Sequence, residues 1–313
     1  MNKVKGYIVN DSVLESWNKK FVPDFDLFFF AENHEYVETE LFTFSIKNDF
    51  SLDDRTSFVT WGISDKAKFY AKIHNDDFLK LSKENQKEII KQQWVLGRGV
   101  LFKESELLLL LKNNSNENLK TLEVLKDYSI EEDAINEKIF ILQGHTWKRL
   151  SPLIRKSILL NYADLWVNDN AVFHNLKQSE QDSLSKEYPH LIPFIDHFPS
   201  RNGPNCFASV IAVVTGDLNH MNDWMQSEQF IKLLKQHNYL KTITTNYKKQ
   251  DVLVWKNQNG TPVHAAFLLN DKLSFNKHGQ TMFNPWQVLP TSDVIKSWNN
   301  DGFQLEVFRR EFN

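Results

Sequence analysis

The chain holds one cysteine, Cys206. A single thiol forms neither an intrachain disulfide nor a cysteine-rich zinc site, which leaves packing or nucleophilic reactivity. It stands in Asn205-Cys206-Phe207-Ala208-Ser209-Val210-Ile211-Ala212-Val213-Val214-Thr215-Gly216, a run that is apolar on nearly every face if wound as a helix. The pattern predicts a buried helix stopped at Gly216, with Cys206 in its first turn. Unpaired backbone N–H groups at a helix start favour a thiolate and supply an oxyanion donor, here the N–H of Cys206 itself. Taken alone, such a cysteine reads as a small buried hydrophobe. A histidine delivered by another element changes that reading, because an imidazole can hold the thiolate and later protonate a leaving group.

Such a histidine must come from a framework that places it beside the helix start. Asp251-Val252-Leu253-Val254-Trp255 reads as a strand, Lys256-Asn257-Gln258-Asn259-Gly260 as a turn, and Pro262-Val263-His264-Ala265-Ala266-Phe267-Leu268-Leu269 as the returning strand. Lys272-Leu273-Ser274-Phe275-Asn276 follows as a third. His264 is thus the expected general base and acid, and Asn276 on the neighbouring strand can orient its ring. His278 shares the face of Asn276 by strand alternation and competes for the same role.

The order of cysteine at a buried helix start, histidine on a strand and polar residue on the next strand resembles the NlpC-type papain-like cysteine peptidases, over about residues 195–313. Gln250-Asp251-Val252-Leu253-Val254-Trp255 is similar to that family's Gly-Asp-Leu-Val strand, and Val263-His264-Ala265-Ala266-Phe267-Leu268 to its His-Val-Gly-Ile strand. Asn276 lies twelve positions after His264, like the family's third polar residue. The chain departs at the nucleophile, where Asn205-Cys206-Phe207-Ala208 replaces the usual Asp-Cys-Ser-Gly, and no counterpart of the family's upstream tyrosine is found. The resemblance implies a central helix packed on an antiparallel sheet and attack of Cys206 on an amide carbonyl. In the family this is often the D-glutamyl to diamino-acid bond of cell-wall muropeptides.

The remaining sequence bounds this expectation. With 313 residues the chain is long enough for two domains, and 41% hydrophobic with 25% charged residues describes a globular protein. Its 37 basic residues, only seven of them Arg, nearly balance 40 acidic ones, which argues against nucleic acid as a partner. No segment reaches the ~20 apolar residues of a membrane span, and the first residues lack a secretory signal, so a cytoplasmic location without a membrane partner is expected. The proline-rich stretches at 188–194 and 199–204 predict a boundary, dividing a helix-rich mixed domain of unknown role, 1–195, from a papain-like domain, 196–313.

Within 1–195, Leu27–Phe30 and the alternating Leu41–Ile46 read as strands, 77–96 as one amphipathic helix, Asn113–Asn118 as a loop and Pro152–Leu165 as a helix capped by Ser151. His34 among Glu32, Glu35 and Glu38 reads as a solvated charged turn, not a metal site. His145, Trp147 and Arg149 read as packing or surface residues. Trp286 reads as core, and Asp251 as a strand-start residue bonded to local backbone. The expectation is therefore an α+β chain whose second domain hydrolyses peptide-like amide bonds in small substrates, with no metal or organic cofactor required. Acyl transfer to an amine or alcohol by the same Cys-His pair, and an inactive binding module, are the alternatives.

Overall fold

The computed structural model describes all residues except 34–40, 46–49, 112–114, 133, 300, 301, 312 and 313. It is a mixed α+β chain with antiparallel sheets, divided into two compact units: residues 1–13 with 163–313, and residues 14–162. The expected division at 195/196 is thereby corrected. The proline-rich stretch is interior to the first unit, because it carries its own core residues: Leu191, Ile195 and Phe198 are buried. It is also tied to distant backbone. Ile8 N donates to Asp196 O at 2.7 Å, and Asp196 N to Trp286 O at 2.9 Å. Prolines here shape a packed connection, not a linker.

In the first unit the hairpin β1 (Asn2–Val4) and β2 (Tyr7–Val9) is followed, after residue 163, by α1 (Gln178–Glu187), α2 (Cys206–Thr215) and α3 (Ser227–Gln236). Then come β3 (Tyr239–Thr242), β4 (Val252–Lys256), β5 (Pro262–Leu268), β6 (Leu273–Asn276), β7 (Gln287–Pro290), α4 (Thr291–Trp298) and β8 (Gln304–Arg310). The last six strands form one antiparallel sheet in the order β7-β6-β5-β4-β8-β3. Strand alternation gives it two apolar faces. Val252, Val254, Ala265, Phe267 and Phe275 pack with α2 and with Phe230 and Leu234 of α3. Leu253, Trp255, Ala266 and Leu268 pack with Val294 of α4 on the other side.

Local chemistry explains α2. Asn205 Oδ1 accepts from Ala208 N at 3.0 Å and so caps the helix start, and Gly216, at φ 74°, takes the left-handed conformation that ends it. All eight residues from Cys206 to Val213 are buried, as expected of a helix that is apolar all round.

The unit of residues 14–162 contains two three-stranded antiparallel sheets, 25–30 with 69–74 and 42–43, and 101–103 with 137–141 and 129–132. Helix exceeds strand in this unit, as the helix-rich mixed description expects. The predicted helix over 77–96 is two, Asn75–Lys80 and Lys83–Leu96. Ser82 breaks it by accepting from Asn85 N at 3.1 Å, a cap that competes with continuing the first helix. Ser115–Leu125 is helical, so the loop expected at 113–118 is shorter, and residues 113 and 114 lie outside the described residues, as do His34, Glu35 and Glu38. Pro152–Leu165 is helical, with Ser151 Oγ accepting from Ile154 N at 3.3 Å.

Candidate active site

Cys206 opens α2 and is 7% exposed. The backbone amides of Ala265, Phe207 and Cys206 and the Lys277 amine favour its thiolate. Burial nevertheless dominates and pushes the thiol up to about 11. The contact with Ala265 has a topological cause: β5 and β6 are paired only at Phe267 with Phe275 and Leu268 with Ser274. Upstream of Phe267 the edge of β5 is open, and the helix start enters there.

His264 is next in sequence to Ala265 but turns the other way. It pairs across the sheet with Trp255, one residue beyond an irregularity in the β4–β5 register that leaves Val263 unpaired. Its ring stacks on Trp298 of α4 at 3.9 Å with planes 5° apart, and tilts against Trp255 at 5.4 Å. The imidazole therefore belongs with the α4 face and the thiol with the α2 face. Neither ring nitrogen bonds the thiol, so the expected thiol–imidazole pair is not formed. The physical reason is the period of two along a strand: facing Ala265 toward α2 sends His264 away from it. Complete burial, and then the neighbouring His278, hold the His264 pKa well below the usual histidine value.

The expected orienters do assemble around His264. Asn276 is buried and its carboxamide lies against both His264 and His278, at 3.2 Å from His278 Nε2. Trp298 Nε1 donates to His278 Nδ1 at 3.2 Å. A neutral imidazole has one acceptor nitrogen, so this bond leaves the proton on Nε2. The carboxamide is then best satisfied with its oxygen toward Nε2–H and its amide toward His264. His278 also faces Asp169, Nε2 to Oδ2 at 3.7 Å, and lowers the pKa of that carboxyl. The two candidate orienters are thus consecutive: Asn276 lies between the imidazoles, and His278 supports Asn276.

Lys277 was not singled out by its sequence context. It is fully buried, 0% exposed, and Nζ donates to the backbone carbonyls of Gly279 at 2.6 Å and Thr281 at 3.1 Å. Strand alternation carries a readable signal: Lys277 follows Leu273 and Phe275 on the α2 face, an inward position for a lysine. Asp169 and Trp298 carry no such signal, since only folding brings them to His278.

Two other expectations have plain outcomes. Trp286 is core, 4% exposed, with Nε1 donating to Ser209 Oγ at 3.1 Å. Asp251 accepts from Lys248 N at 2.8 Å, as expected of a strand-start residue, and in addition forms a two-pronged pair with Arg309 at 2.8 and 2.7 Å. His145 in the other unit packs edge-on against Tyr128 at 4.5 Å, and burial lowers its pKa to about 4.

Among the described residues, no group of three or more His, Cys, Asp or Glu could hold a metal ion, and no helix is long and apolar enough to cross a membrane. No family model, curated protein or solved structure matches the chain.

Proposed function

We propose that the chain is a cysteine-dependent hydrolase of peptide-like amide bonds, with an NlpC-type papain-like arrangement in its first unit. The observation that carries this reading is Cys206 at the start of the capped, buried helix α2, where the backbone N–H groups of Cys206 and Phe207 have no intrahelical acceptor. Such donors stabilise a thiolate before attack and the oxyanion after it. Cys206 Sγ adds to the carbonyl carbon, the amine leaves with a proton, and water cleaves the resulting thioester. The family resemblance gives delivery of that proton to His264 with Asn276 to orient it, an assignment that the position of the ring on the α4 face does not itself support. Muropeptides cleaved at the D-glutamyl to diamino-acid bond are the substrates the family resemblance suggests, and an amine or alcohol in place of water makes the same enzyme an acyltransferase.

A second reading, a binding module with an inert thiol, is favoured by one observation: burial pushes Cys206 up to about 11 and no imidazole touches it. Screening D- and L-amino-acid peptides with native protein and Cys206→Ala separates the two. Product release by the native chain that disappears in Cys206→Ala supports the hydrolase, whereas equal release by both sinks it.

A further inference from the structure

Asp196 is fully buried, 0% exposed, and takes the left-handed conformation at φ 58°, which a residue other than glycine seldom adopts. Its main chain is a joint within the first unit. Ile8 N donates to Asp196 O at 2.7 Å and Asp196 N to Trp286 O at 2.9 Å, while Phe198 N donates to Ile8 O at 3.3 Å and Trp286 N to His197 O at 3.0 Å. Residues 196–198 thus tie the β1–β2 hairpin to the stretch that leads into β7. The Asp196 side chain has no comparable partners. Neither carboxyl oxygen accepts a hydrogen bond of ordinary geometry, the backbone amides of Phe173 and His174 being the donors that face it, and no cation among the described residues acts on it. The ionisable side chains around it are Tyr7 of β2, His174 and the adjacent His197. Tyr7 OH accepts from Gln287 Nε2 at 2.6 Å, His197 Nδ1 lies 2.8 Å from Ile195 O, and Asp169 acts on Tyr7 as Lys3 does on His174.

A carboxyl enclosed in this way is stable as the neutral acid, because its anion would lie in a low dielectric without a counter-charge. We propose that Asp196 is a pH-sensitive latch: the neutral acid holds the β1–β2 hairpin against residues 196–198, and loss of its proton to solvent releases the hairpin. The O–H bond breaks, its electron pair stays on the carboxylate, and water takes the proton. The carboxylate then needs water, which reaches it when the Ile8 and Phe198 bonds open. Release also lifts Tyr7 from Gln287, the cross-strand partner of Asn276. The latch thereby covers the end of the α4 face where Asn276, His278 and His264 gather, and it operates whether or not Cys206 is a nucleophile. Burial raises the Asp196 pKa from an ordinary 3.8 to about 7. The latched chain therefore keeps a proton that the released chain loses between those values. Opening becomes more favourable by up to about tenfold per pH unit from about 4 to 7, and levels off above 7.

The test is amide hydrogen exchange of Ile8 and Phe198 in the full chain from pH 5 to 8, read by NMR and corrected for the intrinsic pH dependence of exchange, for native protein, Asp196→Asn and His174→Ala. In native protein the protection of both amides is expected to fall by up to about tenfold per pH unit up to pH 7 and then to level off, while amides within α2 keep theirs. Asp196→Asn, which cannot ionise, is expected to flatten the profile, and His174→Ala to preserve it. A fall that persists in Asp196→Asn, that vanishes in His174→Ala, or that α2 shares equally overturns the latch, as does protection that stays constant across the range. Should Asp196→Asn fail to fold, the side-chain carboxyl carbon signal of Asp196 in native protein provides the second measurement. A titration midpoint near neutrality supports the latch, and one near the ordinary carboxyl value overturns it.

Discussion

Among the described residues, each unit buries one cation completely, and the two are satisfied in opposite ways. Arg98, in the unit of residues 14–162, pairs with the buried Asp26 carboxylate and donates to Leu27 O at 2.9 Å and Gly99 O at 3.4 Å. Lys277 is held by two backbone carbonyls and, among the described residues, by no carboxylate. A guanidinium keeps its proton, so pairing it with a carboxylate makes a fixed structural joint. A buried amine without a counter-charge is held by dipoles alone, and desolvation makes its proton easy to lose. The first arrangement holds the strand 25–30 to the turn at 97–100, while the second leaves a buried group that titrates.

The contrast can be broken most forcefully at Arg98. Arg98→Met leaves Asp26 buried and alone, and is expected to cost about 3–5 kcal/mol in urea unfolding of the full chain. A loss under 1 kcal/mol would make Arg98 no more structural than a surface residue.

A smaller effect is expected at the two-carbonyl cradle of Lys277. A Cβ on Gly279 would meet Asn284 Oδ1 at 2.5 Å, so Gly279→Ala must displace the Asn284 side chain or the carbonyl that holds Lys277. A loss of about 1–3 kcal/mol is expected in urea unfolding, and an unchanged midpoint would show that the cradle adds nothing to stability.

The smallest and most discriminating effect is the pH dependence of stability. The folded chain holds Lys277 at about 7 against an ordinary 10.5, so above pH 7 it binds fewer protons than the unfolded chain. Stability therefore rises with pH from about 7, by up to about 1.4 kcal/mol per pH unit. Cys206 acts in the opposite sense from 9 to about 11, where the folded thiol keeps a proton the unfolded one loses. The rise is cleanest between 7 and 9. Lys277→Met should flatten it and Arg98→Met should not, as measured by urea midpoints across that window.

Much of the first unit was legible residue by residue. Gly216 ends α2 because a left-handed stop is local chemistry, whereas the Asn205 cap came to light only in the structure. The strands at 252–256, 262–268 and 273–276 follow from alternation and turn residues. Asn276 beside His264 followed from spacing on neighbouring strands. The thiol–imidazole pair did not, because proximity in the fold does not determine which side of a strand a ring takes. Nor did the boundary, since the prolines at 193, 199 and 204 mark bends whether the chain there is solvated or packed under Trp286.

By itself the sequence determined the existence of a capped apolar helix beginning at its sole cysteine, and a strand hairpin able to carry a histidine past it. Those are short-range matters of period, capping and turn chemistry. Only the tertiary structure decided that Lys277 is buried and that His264 faces Trp298. Both outcomes depend on where β5 and β6 part and on the irregular register at Val263, which are set by packing between α2 and α4 on opposite faces of one sheet.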